Sequence, residues 1–169
     1  YPLNNVSTSN NPSSQPVRTD FVLYTYEKLL MDKLLVDQVV KLPHEFYARA
    51  AVGYLETEYA GLDWEMAKPL WGGRLMVGLS GSVVKKREVG KAFSFKENDW
   101  KSSYTTAFLN TALNVPEAEM TLDLRTGQFL AGDRGTRVTL SKSFNGIILY
   151  GWYSFTNTSI FTDSSNRGY

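Results

Sequence analysis

Asp63 with Glu65, and Glu119 with Asp123, form two pairs of carboxylates set two and four residues apart, each pair on one parity of a strand-like run. Glycosidases work with such pairs, at a separation that only the fold can set. Arg74, Arg125 and Arg137 share that parity in neighbouring runs, so the plainer reading is a set of balanced charges on a wetted surface. His44 is the only histidine and follows Pro43 in a turn, which leaves a metal site or a histidine-based triad without partners. With no cysteine there is no disulfide, thiolate metal site or cysteine nucleophile. "GLSGS", residues 78–82, lies inside a strand pattern without the following lysine and helix of a phosphate-binding loop. No catalytic residue, metal or cofactor is therefore expected, and the chain does not read as an enzyme. Trp64, Trp71, Tyr150 and Trp152 are able to stack on sugar rings, and equally to sit at a bilayer interface or in a core.

Composition narrows the setting for these residues. A chain of 169 residues with 43% hydrophobic content suits one domain, able to bury a core or to coat a lipid-facing surface. Eighteen basic against 17 acidic residues give a formal charge of +1, without the cationic excess that nucleic acid binding needs. The aromatic share of 14% is familiar in carbohydrate binders and in β-barrels with aromatic girdles. No window offers 18 uncharged apolar residues for a spanning helix, whereas a spanning strand needs only about 9 to 11 residues of alternating character. The chain opens on Tyr1-Pro2-Leu3 without a charged and then apolar leader, which reads as a processed protein or an excised piece.

The elements that position the charges show period-two alternation. Residues 1–19, rich in Asn, Ser and Pro, read as a flexible polar arm or loop. Residues 20–42 fit helix and strand alike, with β-branched content and Pro43 tilting 34–42 towards strand. From residue 46 onward the alternation is clear: Ala48, Ala50 and Val52 oppose Arg49 and Ala51, and Leu62, Trp64 and Met66 oppose Asp63 and Glu65. Leu75, Val77 and Leu79 oppose Arg74, Gly78 and Ser80; Met120, Leu122 and Leu124 oppose Glu119, Asp123 and Arg125; Val138 and Leu140 oppose Arg137 and Thr139. These runs make about seven strands over residues 20–169, an all-β antiparallel meander. Tight turns are expected at 68–73, 131–135 and 145–146, and longer polar stretches at 85–101 and from 155 onward, with the short 113–118 link breaking the alternation. Small residues at Gly53, Gly78, Ser80, Gly127 and Gly151, all assigned to the polar parity, suit a sheet that curls. Alternation alone does not separate a soluble sandwich, its apolar face on a second sheet, from a barrel wall facing lipid.

A family resemblance enters at "YARAAVGYLE" followed by "YAGL", then at "LAGDRG" and "SFNG" flanking one strand, and at "GWYSFT". These stretches resemble the C-terminal part of the YjbH/GfcD-like outer-membrane proteins of exopolysaccharide and capsule operons, over roughly residues 32–158. The most specific element is the pair of turns carried by Gly132, Asp133 and Gly135 and by Asn145 and Gly146, spaced by one strand. The resemblance implies a Gram-negative outer-membrane β-barrel involved in polysaccharide secretion, with no catalytic residues to carry over. The family pattern continues beyond "GWYSFT", and seven strands fall short of a closed barrel of even number, so the chain is expected to be a segment of a larger barrel. Its lumen would be lined by Asp63, Glu65, Arg74, Glu119, Asp123, Arg125 and Arg137 and would act passively. Its partners would be the lipid bilayer, the secreted polysaccharide, and further barrel-forming segments or periplasmic export proteins. Two other readings stay open: a soluble β-sandwich that binds carbohydrate through exposed aromatics, and a structural envelope scaffold that transports nothing.

Overall fold

The computed structural model describes residues 16–18, 20–25, 31–91 and 93–157. Most of the arm read over residues 1–19 lies outside that range. The alternating runs form eight strands: β1 (Leu34–Lys41), β2 (Tyr47–Tyr54), β3 (Tyr59–Leu70), β4 (Leu75–Lys86), β5 (Tyr104–Val115), β6 (Met120–Gln128), β7 (Arg134–Phe144) and β8 (Ile147–Thr156). They make one sheet in strict sequence order with every neighbouring pair antiparallel, so the all-β meander is the observed fold. The ambiguous stretch 20–42 accounts for the eighth strand: it divides into a single helical turn, α1 (Phe21–Thr25), and β1. Apolar residues at both parities of "LLVDQVVK" hid the period of β1, and pairing with β2 decides it. Among the described residues β1 and β8 do not pair, and the sheet is open.

Register assigns each residue to a face, because directly opposed residues of an antiparallel pair project to the same side. Val36, Val52, Leu62 and Val83 are opposed in turn across β1 to β4. All four are exposed, between 46% and 72%. Leu79, Leu109 and Leu140 lie on the same face and are exposed as well. The other face carries Asp37, Asp63, Glu65, Ser82, Thr106, Arg125 and Arg137, and the buried cluster of Val17, Tyr59, Val84, Tyr104 and Ala131 lies against it. The molecule thus keeps its core on its polar side. Gly151, assigned by sequence to the polar parity, stands opposite Leu140 on the apolar face, because the two-residue turn before β8 sets that strand's phase.

The connections differ by end. Pro43–Glu45, Trp71–Gly73, Pro116–Ala118 and the Asn145-Gly146 pair close the four hairpins at one end. Asn145 and Gly146 take φ of 46° and 82°, the double left-handed geometry of a type I′ turn. At the other end lie the connections 55–58, 87–103 and 129–133. The 113–118 link therefore belongs with the tight turns and does not break the pattern, while the Gly132-Asp133 turn belongs with the opposite end. Turn chemistry reveals that a strand reverses, but only the strand count says at which end.

Two opposed glycine pairs, Gly53 with Gly61 and Gly127 with Gly135, let neighbouring backbones approach on the polar side near the longer connections. Gly127 has φ of 155°, and a Cβ there would stand 2.0 Å from the Ala107 carbonyl oxygen. Gly127→Ala should therefore destabilise the fold by roughly 1–3 kcal/mol or more. Gly151→Ala, which meets nothing within 4 Å, should stay within about 0.5 kcal/mol of the parent. Denaturant midpoints of the two variants in detergent micelles would check this; equal midpoints would show that the strands have room to separate.

Candidate functional site

Five of the seven charged positions picked out by alternation fall together on the polar face: Asp63 and Glu65 on β3, Asp123 and Arg125 on β6, and Arg137 on β7. Arg74 and Glu119 do not join them. Arg74 follows the β3–β4 turn and its guanidinium pairs with Glu117 in the next turn along the same rim, both side chains more than half exposed. Glu119 has φ of 51° at the end of the β5–β6 turn. Each precedes its strand by one residue, Arg74 in a right-handed and Glu119 in a left-handed helical conformation, and the parity of a strand does not extend into such turn backbone. Arg49 carries more of the face than alternation suggested: it bonds Asp37 at 3.0 Å and Asp63 at 2.7 Å, tying β1, β2 and β3 together.

A second assembly occupies the same face near the longer connections. Lys86 Nζ, fully buried, donates to the carbonyls of Pro16 and Val17 at 3.0 Å each and to Asp20 Oδ1 at 2.5 Å. Tyr59 Oη donates to the Val17 carbonyl, Trp100 Nε1 to that of Pro16, and Tyr24 Oη to that of Arg87. Residues 16–18, read from sequence as the end of a loose arm, are thus pinned, with Val17 only 1% exposed. Sequence offered one signal for this, Val17 beside Arg18 after a run of Asn and Ser, and it was too short to stand out. Three donors reaching two carbonyls of one short segment is the arrangement that holds an irregular backbone inside a fold.

Between this plug and the middle of the sheet lies a cavity of about 260 Å³ whose lining includes Arg18, Glu56, Asp63, Phe108, Arg125 and Arg137. Glu56 is paired with Arg18 at 2.9 Å. Phe108 and Phe129 meet edge to face at 5.0 Å, and the Arg125 guanidinium stands 4.0 Å from the Phe108 ring centre. Of the aromatic candidates, Trp64 lies on the apolar face, Trp71 at the tight-turn rim, and Tyr150 and Trp152 stack at 6.0 Å on the polar parity of β8. The family-like turns mark the two ends of β7, with Asp133 buried and Phe129 N–H donating to its carbonyl. Burial raises the Asp133 carboxyl and lowers the Lys101 ammonium beside it. Among the described residues no group of three or more His, Cys, Asp or Glu side chains is placed to hold a metal ion.

Glu58, in the β2–β3 connection, is 2% exposed and its Oε1 has no hydrogen-bond partner. Burial pushes its carboxyl up to about 8 from an ordinary 4.5, against the pull of Lys86. A carboxyl that holds its proton more tightly when folded contributes stability that is full below about pH 4.5 and is lost as pH rises towards about 8. Hydrogen exchange over residues 16–24, corrected for intrinsic rates, should therefore be about tenfold faster or more near pH 8 than near pH 5. Glu58→Gln should flatten that dependence; an unchanged profile in the variant would assign it elsewhere. Lys86→Met, which leaves Asp20 buried without its main partner, should loosen the plug by about 3–5 kcal/mol near neutral pH.

The family described as exopolysaccharide biosynthesis protein YbjH matches this chain over residues 2–169, wider than the stretches that first suggested it. An uncharacterized lipoprotein YjbH of Escherichia coli (strain K12) is 26% identical over 147 residues, which cover 85% of this chain and 21% of the relative. The chain thus spans about a fifth of that relative's length. No solved structure matches. A match running almost from end to end of an alternating meander identifies the chain as a member of the YjbH exopolysaccharide biosynthesis family.

Proposed function

We propose that the chain is a wall segment of an outer-membrane β-barrel that takes part in exopolysaccharide export, its apolar face against lipid and its polar face along a wet lumen. The observation that carries this reading is the uncovered aliphatic row Val36, Val52, Leu62 and Val83, set on the side of the sheet opposite the core. Water would make such a surface costly, since each exposed aliphatic side chain forgoes roughly 1.5–3 kcal/mol of transfer free energy. Hydrocarbon removes that cost. Strands β3, β4 and β5 have 12 residues each, enough for a tilted span of about 9 to 11. Short connections at one end and longer ones at the other are the habit of outer-membrane barrels.

A soluble sandwich would need a second sheet over the aliphatic row, and the described residues form only one sheet. The free edges of β1 and β8 are where further wall would attach, consistent with a relative about four times as long. The lumen acts without catalysis: Asp63, Glu65, Asp123, Arg125 and Arg137 offer hydrogen bonds to a hydroxyl-rich chain and release it again. A pure scaffold would share the fold but not the need for a polar interior, so the lumen charges favour passage.

The chain carries no cysteine, so a single thiol introduced into it can be followed once any cysteine outside these residues is replaced. In the full-length protein in liposomes, Leu62→Cys, Leu79→Cys and Leu140→Cys should resist a hydrophilic maleimide and react with a lipid-soluble one. Asp123→Cys and Thr139→Cys should react with the hydrophilic reagent about tenfold faster than the leucine sites. The reverse pattern would overturn the proposal. Loss of exported polysaccharide on neutralising the lumen charges, with barrel assembly intact, would speak for passage; unchanged export would leave a scaffold.

A further inference from the structure

We infer that Arg125 and Arg137, with Phe108 and Phe129, form a subsite for an acidic sugar unit, a pyranose bearing a carboxylate, on the polar face of the sheet. The inference rests on the lumen reading above and adds the chemical class of what passes. The two arginines are direct cross-strand partners on β6 and β7. Like charges in that position repel one another and are kept where something anionic answers them.

Among the described residues no carboxylate forms an ion pair with either arginine, although Glu65 and Asp63 lie near enough to act on Arg125 through space. Of the carboxylates lining the 260 Å³ cavity, Glu56 is paired with Arg18 and Asp63 with Arg49. Glu65 and Asp123 line the adjoining cavity with the same two arginines, and neither comes within ion-pair distance of them among the described residues. Arg137 Nε donates to Ser154 Oγ at 3.0 Å, which fixes the plane of the guanidinium and leaves its terminal nitrogens to bind. Arg125 stands over Phe108 and is exposed towards the cavity.

The sugar comes from the lumen reading: an anion that passes there is carried by the exported chain. Phe108 and Phe129, 7% and 8% exposed, pack edge to face at 5.0 Å beneath the arginines with Arg125 over the Phe108 ring, so they prop the guanidinium groups from below. A carboxylate on a sugar ring meets planar guanidinium donors that suit it in two-point contact. Glu65 and Asp123, held beyond ion-pair distance on the far side, repel the same carboxylate, so the unit is recognised and let go.

Binding of trigalacturonate and of maltotriose to the full-length protein in detergent micelles, followed calorimetrically at low salt, tests this. Trigalacturonate should bind at least about tenfold more tightly than maltotriose, the scale of one charge-assisted contact. The double substitution Arg125→Gln with Arg137→Gln should abolish the difference, and Arg125→Lys with Arg137→Lys should keep part of it. Equal affinity for the two trisaccharides, or full displacement of trigalacturonate by equimolar inorganic phosphate, would overturn the inference. Labelling of Thr139→Cys in the same preparations separates the two levels. If the site reacts from water and no discrimination is found, this inference fails alone; if it is closed to water, the lumen reading fails with it.

Discussion

An antiparallel sheet is stable only when each face meets a medium that suits its side chains, and among the described residues the aliphatic face is the uncovered one while the polar face carries the core. Val36, Val52, Leu62 and Val83 run uncovered across four strands, while Lys86, Asp20 and Glu58 are almost wholly buried. Hydrophobic burial within the chain therefore cannot be what selects this sheet, since most of the aliphatic surface stays outside. Cross-strand hydrogen bonding holds the ladder, and on the barrel reading proposed above lipid against the apolar face would supply what a second sheet supplies in a sandwich. The strand lengths, the difference between the two ends and the position of the core fit that reading.

The polar side must then solve a problem that an apolar core does not pose. Every buried donor and acceptor there needs a partner, because an unmade hydrogen bond costs about 1–3 kcal/mol. The plug meets this by bringing backbone carbonyls to the side chains: Lys86 takes those of Pro16 and Val17, Tyr59 and Trp100 share the same two, and Arg87 takes those of Met31 and Thr57. An irregular segment suits this better than a strand, whose carbonyls are committed to the ladder. Four buried atoms go unanswered, Tyr54 Oη, Arg87 Nε, Asp133 Oδ1 and Glu58 Oε1, and at Glu58 burial also pushes the carboxyl up to about 8. An unmet hydrogen bond and a sensitivity to pH thus coincide at Glu58.

How much of this was legible in the sequence depended on whether a residue's role is local. Alternation identifies β2 to β7 because a strand's two faces are written in consecutive letters, and it places Asp63, Glu65, Asp123, Arg125 and Arg137 correctly on one side. Arg74 and Glu119 each stand one residue outside a strand, in turns at the rim, where the strand's alternation no longer sets their direction. Gly151 fails for a related reason: its phase is inherited from the Asn145-Gly146 turn and not from its own neighbours. Val17, Asp20 and Tyr24 were not legible at all, since their partners lie 42 to 76 residues away and short irregular segments carry no period.

The edges of the sheet tie the local chemistry to the larger assembly. β8 exposes apolar side chains on both parities, Leu149 and Tyr153 on one and Tyr150 and Trp152 on the other, so the polar face does not continue unchanged to that edge. A free edge with aromatic residues on both sides is a template for pairing that soluble proteins suppress with charge or proline. Here "IILYGWYSF" carries neither. If further wall pairs with β8, Tyr150 and Trp152 lie inside it as a stacked platform three strands from Phe108, reached past Arg137 and Arg125. A sugar chain passing along that side would then meet the exposed rings of β8 and, beyond them, the guanidinium groups that cover Phe108 and Phe129, which would give an otherwise passive surface a preference for what it lets through.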